Sequence, residues 1–218
     1  MKGLHQALAP KHRGRLMSLD TADDRTLFFD MLPVALTVPS PSHAPFSLRV
    51  RLFSVPGQLV HATTRKVVLQ GADGVVFVAD SRLEETQANA QSFAELRQHL
   101  ADLGPSGRGL PIVMQFNKRD LTEIREDDEL ERLARESQEP VFRAVAIRGE
   151  GVRECFLALL AMVWDRLDRR GVLSDPFGFD APSAVNAVAR ALGWPIDFDA
   201  CAAASVAHSF GLAPEGDP

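Results

Sequence analysis

The sequence predicts an α/β fold with a doubly wound, mostly parallel sheet and helices on both of its faces. Strand-like and helix-like segments alternate along the chain, which is typical of this class. Two strand-like segments, at 74–80 and 111–117, are short continuous apolar runs, as expected for central parallel strands covered on both faces. The segment at 46–55 alternates apolar and polar residues and is predicted to lie near an edge of the sheet.

The order of elements follows from the periodicity of apolar residues. Strands are predicted, from apolar and β-branched content between turn-like borders, at 31–38, 46–55, 74–80, 111–117 and 140–147. Helices are predicted at 58–71, 83–104, 126–137 and 151–171. The first two strands form a hairpin-like pair. Since ligands of a doubly wound fold bind at the carboxyl ends of its strands, we expect the functional site there.

The composition changes after the last long helix. Residues 1–170 are predicted to form the main domain, and residues 171–218 a C-terminal extension with two short alanine-rich helices. Ser183 and Asp199 are predicted helix N-caps, and Gly193 is predicted to end the first helix. Several aromatic residues in the extension indicate that it docks either on its own domain or on another surface.

Composition excludes several classes of function. The chain has 218 residues, 45% of them hydrophobic, which is enough for a substantial core. A net charge of −5, from 29 acidic and 24 basic residues, predicts neither nucleic-acid binding nor attraction to an anionic membrane. Without a signal peptide or an apolar run of membrane-spanning length, a cytoplasmic location is predicted. Cys155 and Cys201 lack metal-ligand or disulfide spacing and are expected to be small core residues.

The candidate functional residues lie in loops at 21–30, 54–58, 116–120 and 145–152. The third loop contains Asn-Lys-Arg-Asp directly after an apolar strand. Its Asp120 can accept two charge-assisted hydrogen bonds from the amine and ring N–H of guanine. A solvated turn explains a four-residue match equally well, but the order of all four loops favours a base-reading site.

Together these stretches resemble the MglA-type bacterial small GTPases, the gliding-motility and cell-polarity group of the Ras/Arf-like superfamily. The resemblance covers about residues 3–170 and is carried by GRLMSLDTADDRTLFFDMLP (14–33), VPGQ (55–58), TRKVVLQGADGVVFVADS (63–81) and QFNKRDL (115–121). It implies a Ras-like fold, GTP or GDP with Mg²⁺ as ligands, and GTP hydrolysis. It also implies a homodimeric roadblock-type activating partner, polarity or motility effectors, and recruitment to the cell poles.

The resemblance assigns the residues near the phosphates. Thr26 would close on Mg²⁺ and the γ-phosphate, and Arg25 would neutralise transition-state charge in cis. Gly57 would offer its backbone N–H to the γ-phosphate, and Gln58 would orient the attacking water. Ser54 replaces the aspartate of most Ras-like proteins and would hold a Mg²⁺-bound water. The alternatives are a surface ion pair for the arginine and a solvated helix start for the glutamine.

The resemblance also assigns the residues near the base. Asn117 would tie loops together and meet the base edge, the stem of Lys118 would cover the ring face, and Asp120 would select guanine. The usual Ser-Ala-Lys loop is replaced by Ala-Val-Ala-Ile at 144–147. The backbone N–H of Ala146 is therefore the candidate to face the guanine oxygen.

The sequence contains no Gly-x4-Gly-Lys-Ser/Thr phosphate loop. None of its four lysines, at positions 2, 11, 66 and 118, follows a glycine. The first strand of a Ras-like sheet, which lies in the middle, is expected to be missing as well. Four lost phosphate contacts at about 1.5 to 3 kcal/mol each would cost about 6 to 12 kcal/mol. This corresponds to roughly four to eight decades of affinity, so the chain alone is not expected to bind GTP tightly.

Three interpretations stay open. The chain is a fragment of a complete GTPase, or it is a pseudo-GTPase that binds partners without nucleotide, or it is an unrelated flavodoxin-like domain. Retention of Arg25, Thr26, Gln58 and the Asn-Lys-x-Asp motif favours the fragment. An in-frame phosphate loop in the DNA upstream of Met1 would support it, and an early stop codon would contradict it.

Overall fold

The computed structural model describes residues 1–20, 28–40, 44–55, 62–137, 139–169 and 179–206. Its strands are β1 (Met17–Asp20), β2 (Phe28–Val38), β3 (Phe46–Ser54), β4 (Val75–Asp80), β5 (Ile112–Asn117) and β6 (Val141–Arg143). Its α-helices are α1 (Lys2–Ala7), α2 (Ala62–Gln70), α3 (Thr86–Asp102), α4 (Asp127–Glu136), α5 (Val152–Asp168), α6 (Ala181–Leu192) and α7 (Phe198–Ala204).

The strands form two three-stranded sheets within these residues. One has the order β1-β2-β3 and is antiparallel, and the other has the order β4-β5-β6 and is parallel. Within the described part of the chain, β3 pairs with β2 and β4 pairs with β5, and the opposite edge of each of these two strands has no partner strand. The backbone N–H and C=O groups along these two edges could pair with a further strand.

Helices cover both faces of the parallel sheet, as predicted. Val113 of β5 packs into a core that includes Leu157 of α5. Its neighbours Met114 and Phe116 belong to a second core with Leu130 of α4. The predicted α/β class is therefore confirmed, and the continuous apolar sequence of β5 is explained by burial on both faces.

The antiparallel sheet has one buried and one exposed face. Leu32 and Val34 of β2 are buried and lie opposite Leu52 and Val50 of β3 in the hydrogen-bonding register. The alternate residues of β3, such as Arg49, are exposed. This confirms the predicted alternation, because successive side chains of a strand point to opposite faces.

One predicted strand is shorter in the structure than expected. The strand predicted at 140–147 ends at Arg143, and the prediction beyond that residue is wrong. Val145 donates its N–H to the carbonyl of Glu150 (3.1 Å), and Arg148 donates to the carbonyl of Val145 (2.9 Å). These local bonds fold the apolar residues into a tight turn, so they cannot extend β6. The short β1, which pairs with β2, was not predicted.

The C-terminal helices pack on the rest of the same chain. Both α6 and α7 contact α5, and α6 also contacts β2. The indole N–H of Trp194 donates to the carbonyl of Ala7 at the end of α1 (3.1 Å), and its ring meets that of Phe156 at 5.8 Å. Val206 donates its N–H to the carbonyl of Val141 (2.8 Å), which covers part of the outer edge of β6. Of the two predicted docking surfaces, the extension therefore uses its own chain.

Helix capping in this region differs from the prediction. Asp180 is the N-cap of α6 and accepts the backbone N–H of Ser183 at 2.8 Å. Asp197 is the N-cap of α7, so the predicted N-caps Ser183 and Asp199 are wrong. Both helices begin earlier, because each of these aspartates accepts the backbone N–H of the residue three positions later. Gly193 ends α6 in the left-handed conformation (φ 70°), as predicted.

Both cysteines are free and buried. Burial raises the pKa of the Cys155 thiol far above its usual range and that of Cys201 to about 12. Both side chains belong to the main apolar core, which confirms that they are small core residues.

The contacts of Trp194 with Ala7 of α1 and Phe156 of α5 predict a graded response at this residue. Trp194→Ala should lower the free energy of unfolding by about 3 to 5 kcal/mol, because it removes a large buried side chain. Trp194→Phe keeps most of the ring and should cost about 1 kcal/mol for the lost hydrogen bond. Urea denaturation followed by circular dichroism measures both. Ile147→Ala, at a side chain that is 84% exposed, is the control and should change stability by less than about 0.5 kcal/mol. Equal stability of all three variants would contradict the packing.

Candidate functional site

The Asn-Lys-Arg-Asp loop follows the carboxyl end of β5 and is tied to both neighbouring strands. The carbonyl of Asn117 accepts the N–H of Ser81 (2.9 Å), and Arg119 donates its N–H to the carbonyl of Ala144 (3.1 Å). Between them, Lys118 has φ 67°, a left-handed conformation that is uncommon for residues other than glycine. The backbone at this turn is therefore held by contacts on both sides.

The side chain of Asn117 joins this loop to the turn after β6. Its Oδ1 accepts the backbone N–H of Ala146 at 2.9 Å. The structure thus brings together two residues that the sequence placed at the base. The Ala146 N–H was expected to face a guanine oxygen, but this bond already occupies it. A bound guanine oxygen would therefore either share this N–H with Asn117 Oδ1 or replace Asn117 Oδ1 as its acceptor.

Asp80, the last residue of β4, organises the charges beside this loop. Lys118 Nζ lies 2.6 Å from Asp80 Oδ2, and the Arg82 guanidinium lies 2.8 Å from the same oxygen. Hydrogen bonding from Arg82, and then from Lys118, holds the pKa of the Asp80 carboxyl well below its usual range. Sequence reasoning missed this residue. The available signal was its position at the end of an apolar strand, in register with Asn117.

Asp120 faces the turn that follows β6. Its side chain is 22% exposed, and one oxygen lies 3.7 Å from the guanidinium of Arg148. Ile147, at the tip of the same turn, is almost fully exposed. The carboxylate is therefore accessible to a ligand, and an incoming base would exchange with Arg148 for its oxygens.

Ser54 lies at the end of β3 beside a carboxylate that the sequence did not reveal. Its hydroxyl donates to Asp30 Oδ2 (3.3 Å), and Ser18 donates to Asp30 Oδ1 (2.6 Å). Asp30 and Ser54 face each other in the register of β2 and β3. Burial lowers the pKa of the Met1 α-amino group, and the negative charge of Asp30 opposes this effect.

Four predicted site residues, Arg25, Thr26, Gly57 and Gln58, lie outside the described residues. Among the residues that are described, no group of three or more His, Cys, Asp or Glu side chains could hold a metal ion. The hydroxyl and carboxylate oxygens of Ser54 and Asp30 are nevertheless the hard oxygen ligands that Mg²⁺ prefers, directly or through water. They fit a role in a magnesium site that is shared with other groups.

Comparison with known proteins identifies the family. No protein-family model matches the chain. The mutual gliding-motility protein MglA of Myxococcus xanthus (strain DK1622) is 39% identical over 168 residues, which cover 77% of this chain and 84% of that protein. This chain belongs to the MglA family of small GTPases. Membership in the MglA family agrees with the α/β fold, since the matched region is long enough to include most of both sheets.

Within the described residues, no helix has the length and apolar character to cross a membrane.

The contacts of Asp80 predict a pH-dependent stability difference. Asp80→Asn should lower the free energy of unfolding by about 1 to 2 kcal/mol at pH 7, because it weakens charge-assisted bonds to a partly exposed group. The folded pKa is depressed, so the contribution is complete above about pH 4 and is lost as the pH falls below that value. Urea denaturation at pH 7 and pH 3 should therefore show a smaller difference at pH 3.

Glu84→Gln is the matched control, because Glu84 also contacts Arg82 but is 68% exposed. It should change stability by less than about 0.5 kcal/mol at either pH. A difference between wild type and Asp80→Asn that grows towards pH 3 would contradict the assigned role of Asp80.

Proposed function

We propose that this protein is a guanine-nucleotide switch of cell polarity or gliding motility, which hydrolyses GTP when its nucleotide site is complete. The observation that supports the proposal is the hydrogen bond between Asn117 and Ala146, which joins the Asn-Lys-Arg-Asp loop and its accessible Asp120 to the turn after β6. The relative from Myxococcus xanthus is named for gliding motility, and the proposal extends that role to this chain.

The described residues can select guanine by charge and geometry. Asp120 would accept the exocyclic amine and ring N–H of the base, an arrangement that adenine cannot satisfy because its ring nitrogen is an acceptor. Lys118 would lay its alkyl stem along the ring face while its ammonium group stays with Asp80. Release of Arg148 from Asp120 would accompany base binding, since both compete for the same carboxylate.

The phosphate side of the site is proposed from residues at the other sheet. Thr26, Ser54 and Asp30 would hold Mg²⁺ or its bound water, and Gly57 would donate to the γ-phosphate. Bound Mg²⁺ would supply positive charge that offsets the charge developing on the phosphate oxygens. Arg25 would add a second positive charge there, and Gln58 would orient the attacking water.

Tight binding needs more than these residues provide. The sequence has no phosphate-loop motif, and the second edges of β3 and β4 lack a partner strand in the described part of the chain. A strand and loop between them would supply both the missing pairing and the phosphate donors. These same two features favour the second candidate function, an interaction protein that keeps the switch surface without nucleotide.

Partners and location follow from the family. We propose a homodimeric roadblock-type activating partner and polarity or motility effectors, which would contact the segments near 21–36 and 54–70. The proposed location is the cytoplasm, with recruitment to cell poles. Residues 1–170 would act as the GTPase domain, and residues 171–218 as an extension that packs on it.

Base reading can be tested on the chain itself by nuclear magnetic resonance. Titration with GMP should shift the amide signals of Asn117, Asp120 and Ala146 with millimolar affinity, and AMP should leave them unchanged. Asp120→Asn should weaken GMP binding at least about tenfold, because it removes an anionic acceptor. Asp128→Asn, which changes the same charge on exposed α4, should bind like the wild type. Equal shifts with GMP and AMP would contradict a guanine site.

A second titration separates the two candidate functions. A version extended by the residues that its upstream DNA encodes should bind fluorescent GDP at least about 10⁴-fold more tightly than this chain, if a phosphate loop is restored. No saturable binding below millimolar concentration in the extended version would favour the interaction protein.

A further inference from the structure

A cavity of about 390 Å³ opens between the short 3₁₀ turn at Pro10–His12, the β2–β3 hairpin and α6. Lys11, His12, Ala35, Thr37, Ser47 and Ala191 are among the residues that line it. Thr37 and Ser47 face each other in the strand register, so their hydroxyl groups lie side by side. The cavity lies away from the Asn117 loop and uses none of its residues.

The charges around this cavity are positive. Lys11 lines it, and Arg49 is exposed on the same sheet face as Ser47, directly opposite Ala35 in the register. Directly opposite residues of antiparallel strands have side chains about 5 Å apart on one face, so Arg49 neighbours the lining residue Ala35, although it does not itself line the cavity. In the described part of the chain, neither Lys11 nor Arg49 has a carboxylate within ion-pair distance, and no acidic residue lines the cavity. Two cations are thus free here in a chain of net charge −5.

The polar groups of the cavity are suited to one chemical class of ligand. A phosphate group offers three acceptor oxygens, and the cavity offers an ammonium group, a nearby guanidinium group and two hydroxyl donors. Guanidinium groups bind phosphate through paired hydrogen bonds, which are stronger than neutral ones. The volume is within the range of small-molecule sites, and the small side chains of Ala35 and Ala191 leave room for an organic substituent.

We propose that this cavity binds the phosphate group of a small phosphorylated molecule. The phosphate lies between Lys11 and Arg49 over the hydroxyls of Thr37 and Ser47, and the organic part lies towards Ala191. Because both cations are exposed, binding is in the millimolar range for phosphate alone and weakens as salt rises. The ligand is either a free metabolite or a lipid headgroup, since both present the same phosphate chemistry.

Titration calorimetry and amide chemical shifts test this site with glycerol 3-phosphate and inorganic phosphate as probes. We expect saturable binding, with the largest shifts at 11–12, 37 and 47. Lys11→Gln combined with Arg49→Gln should weaken binding at least about tenfold. Lys66→Gln, an exposed lysine outside this cavity, should bind like the wild type. Thr37→Val keeps the shape of the side chain but removes its hydroxyl, and should weaken binding by about threefold to tenfold.

A vesicle-binding assay distinguishes the source of the phosphate. Vesicles that contain phosphatidic acid should retain the protein, in a manner that depends on Lys11 and Arg49, if the ligand is a lipid headgroup. Phosphatidylcholine vesicles are the control, and binding of glycerol 3-phosphate without vesicle binding assigns a free metabolite. The proposal is overturned if the double variant, shown to be folded by circular dichroism, binds all probes like the wild type. It is also overturned if neither the phosphates nor the vesicles bind.

Discussion

Strand β5 pairs with a strand on each edge and is covered by helices on each face, and the position of the Asn-Lys-Arg-Asp loop depends on it. Val113 and Phe116 are buried in opposite cores, so β5 cannot shift by one residue without exposing an apolar set. Its parallel register with β4 aligns Asn117 with Asp80 at one end of the sheet. The loop is therefore placed by burial, and its hydrogen bonds to Ser81 and Ala144 then fix its conformation.

The helices on the α5 face of the parallel sheet connect several parts of the fold. Helix α5 contacts both strands β4 and β5 as well as α6 and α7, and α6 in turn covers β2. Trp194 links this layer to the end of α1. Near the other end of α1, a side chain at Gly3 would clash with the carbonyl of Ala146, so only glycine allows this close approach. The C-terminal helices and the turn that contains Ala146 thus both pack against α1.

Sequence patterns were sufficient where burial decides the structure. The apolar run of β5, the alternation of β3 and the glycine stop after α6 each follow from a local rule and agree with the fold. The apolar run of β4 predicted a strand covered on both faces, but its Val78 is 56% exposed. The patterns failed where a hydrogen bond decides between alternatives. Residues 144–147 are as apolar as a strand, yet the bond from Val145 to Glu150 makes them a turn.

The sequence patterns did not reveal Asp80 and Asp30 for the same reason. Asp80 and Asp30 are single carboxylates in apolar strands, and nothing in their own segments shows which partners they meet. The proximity of Asp30 to Ser54 follows only from the strand register, which places the two residues opposite each other. A serine such as Ser54 would bring no charge to a magnesium site, and Asp30 of the neighbouring strand would supply it. Function at such positions is a property of pairing between strands, which a single sequence does not specify.

The split of the sheet also divides the chemistry. The residues that would read the base lie at and after the ends of β5 and β6, within the parallel sheet β4-β5-β6. The described groups that fit a magnesium site, Ser54 and Asp30, belong to the antiparallel sheet. No strand in the described part of the chain joins the two, so their relative position depends on the helical layer of α5 and α6. Val78 of β4 is 56% exposed although its strand is apolar, which is consistent with an uncovered region at this junction. The residues proposed to read the base are therefore positioned within one sheet, whereas the groups proposed for phosphate and metal lie on the other sheet and would depend on how the two sheets are held together.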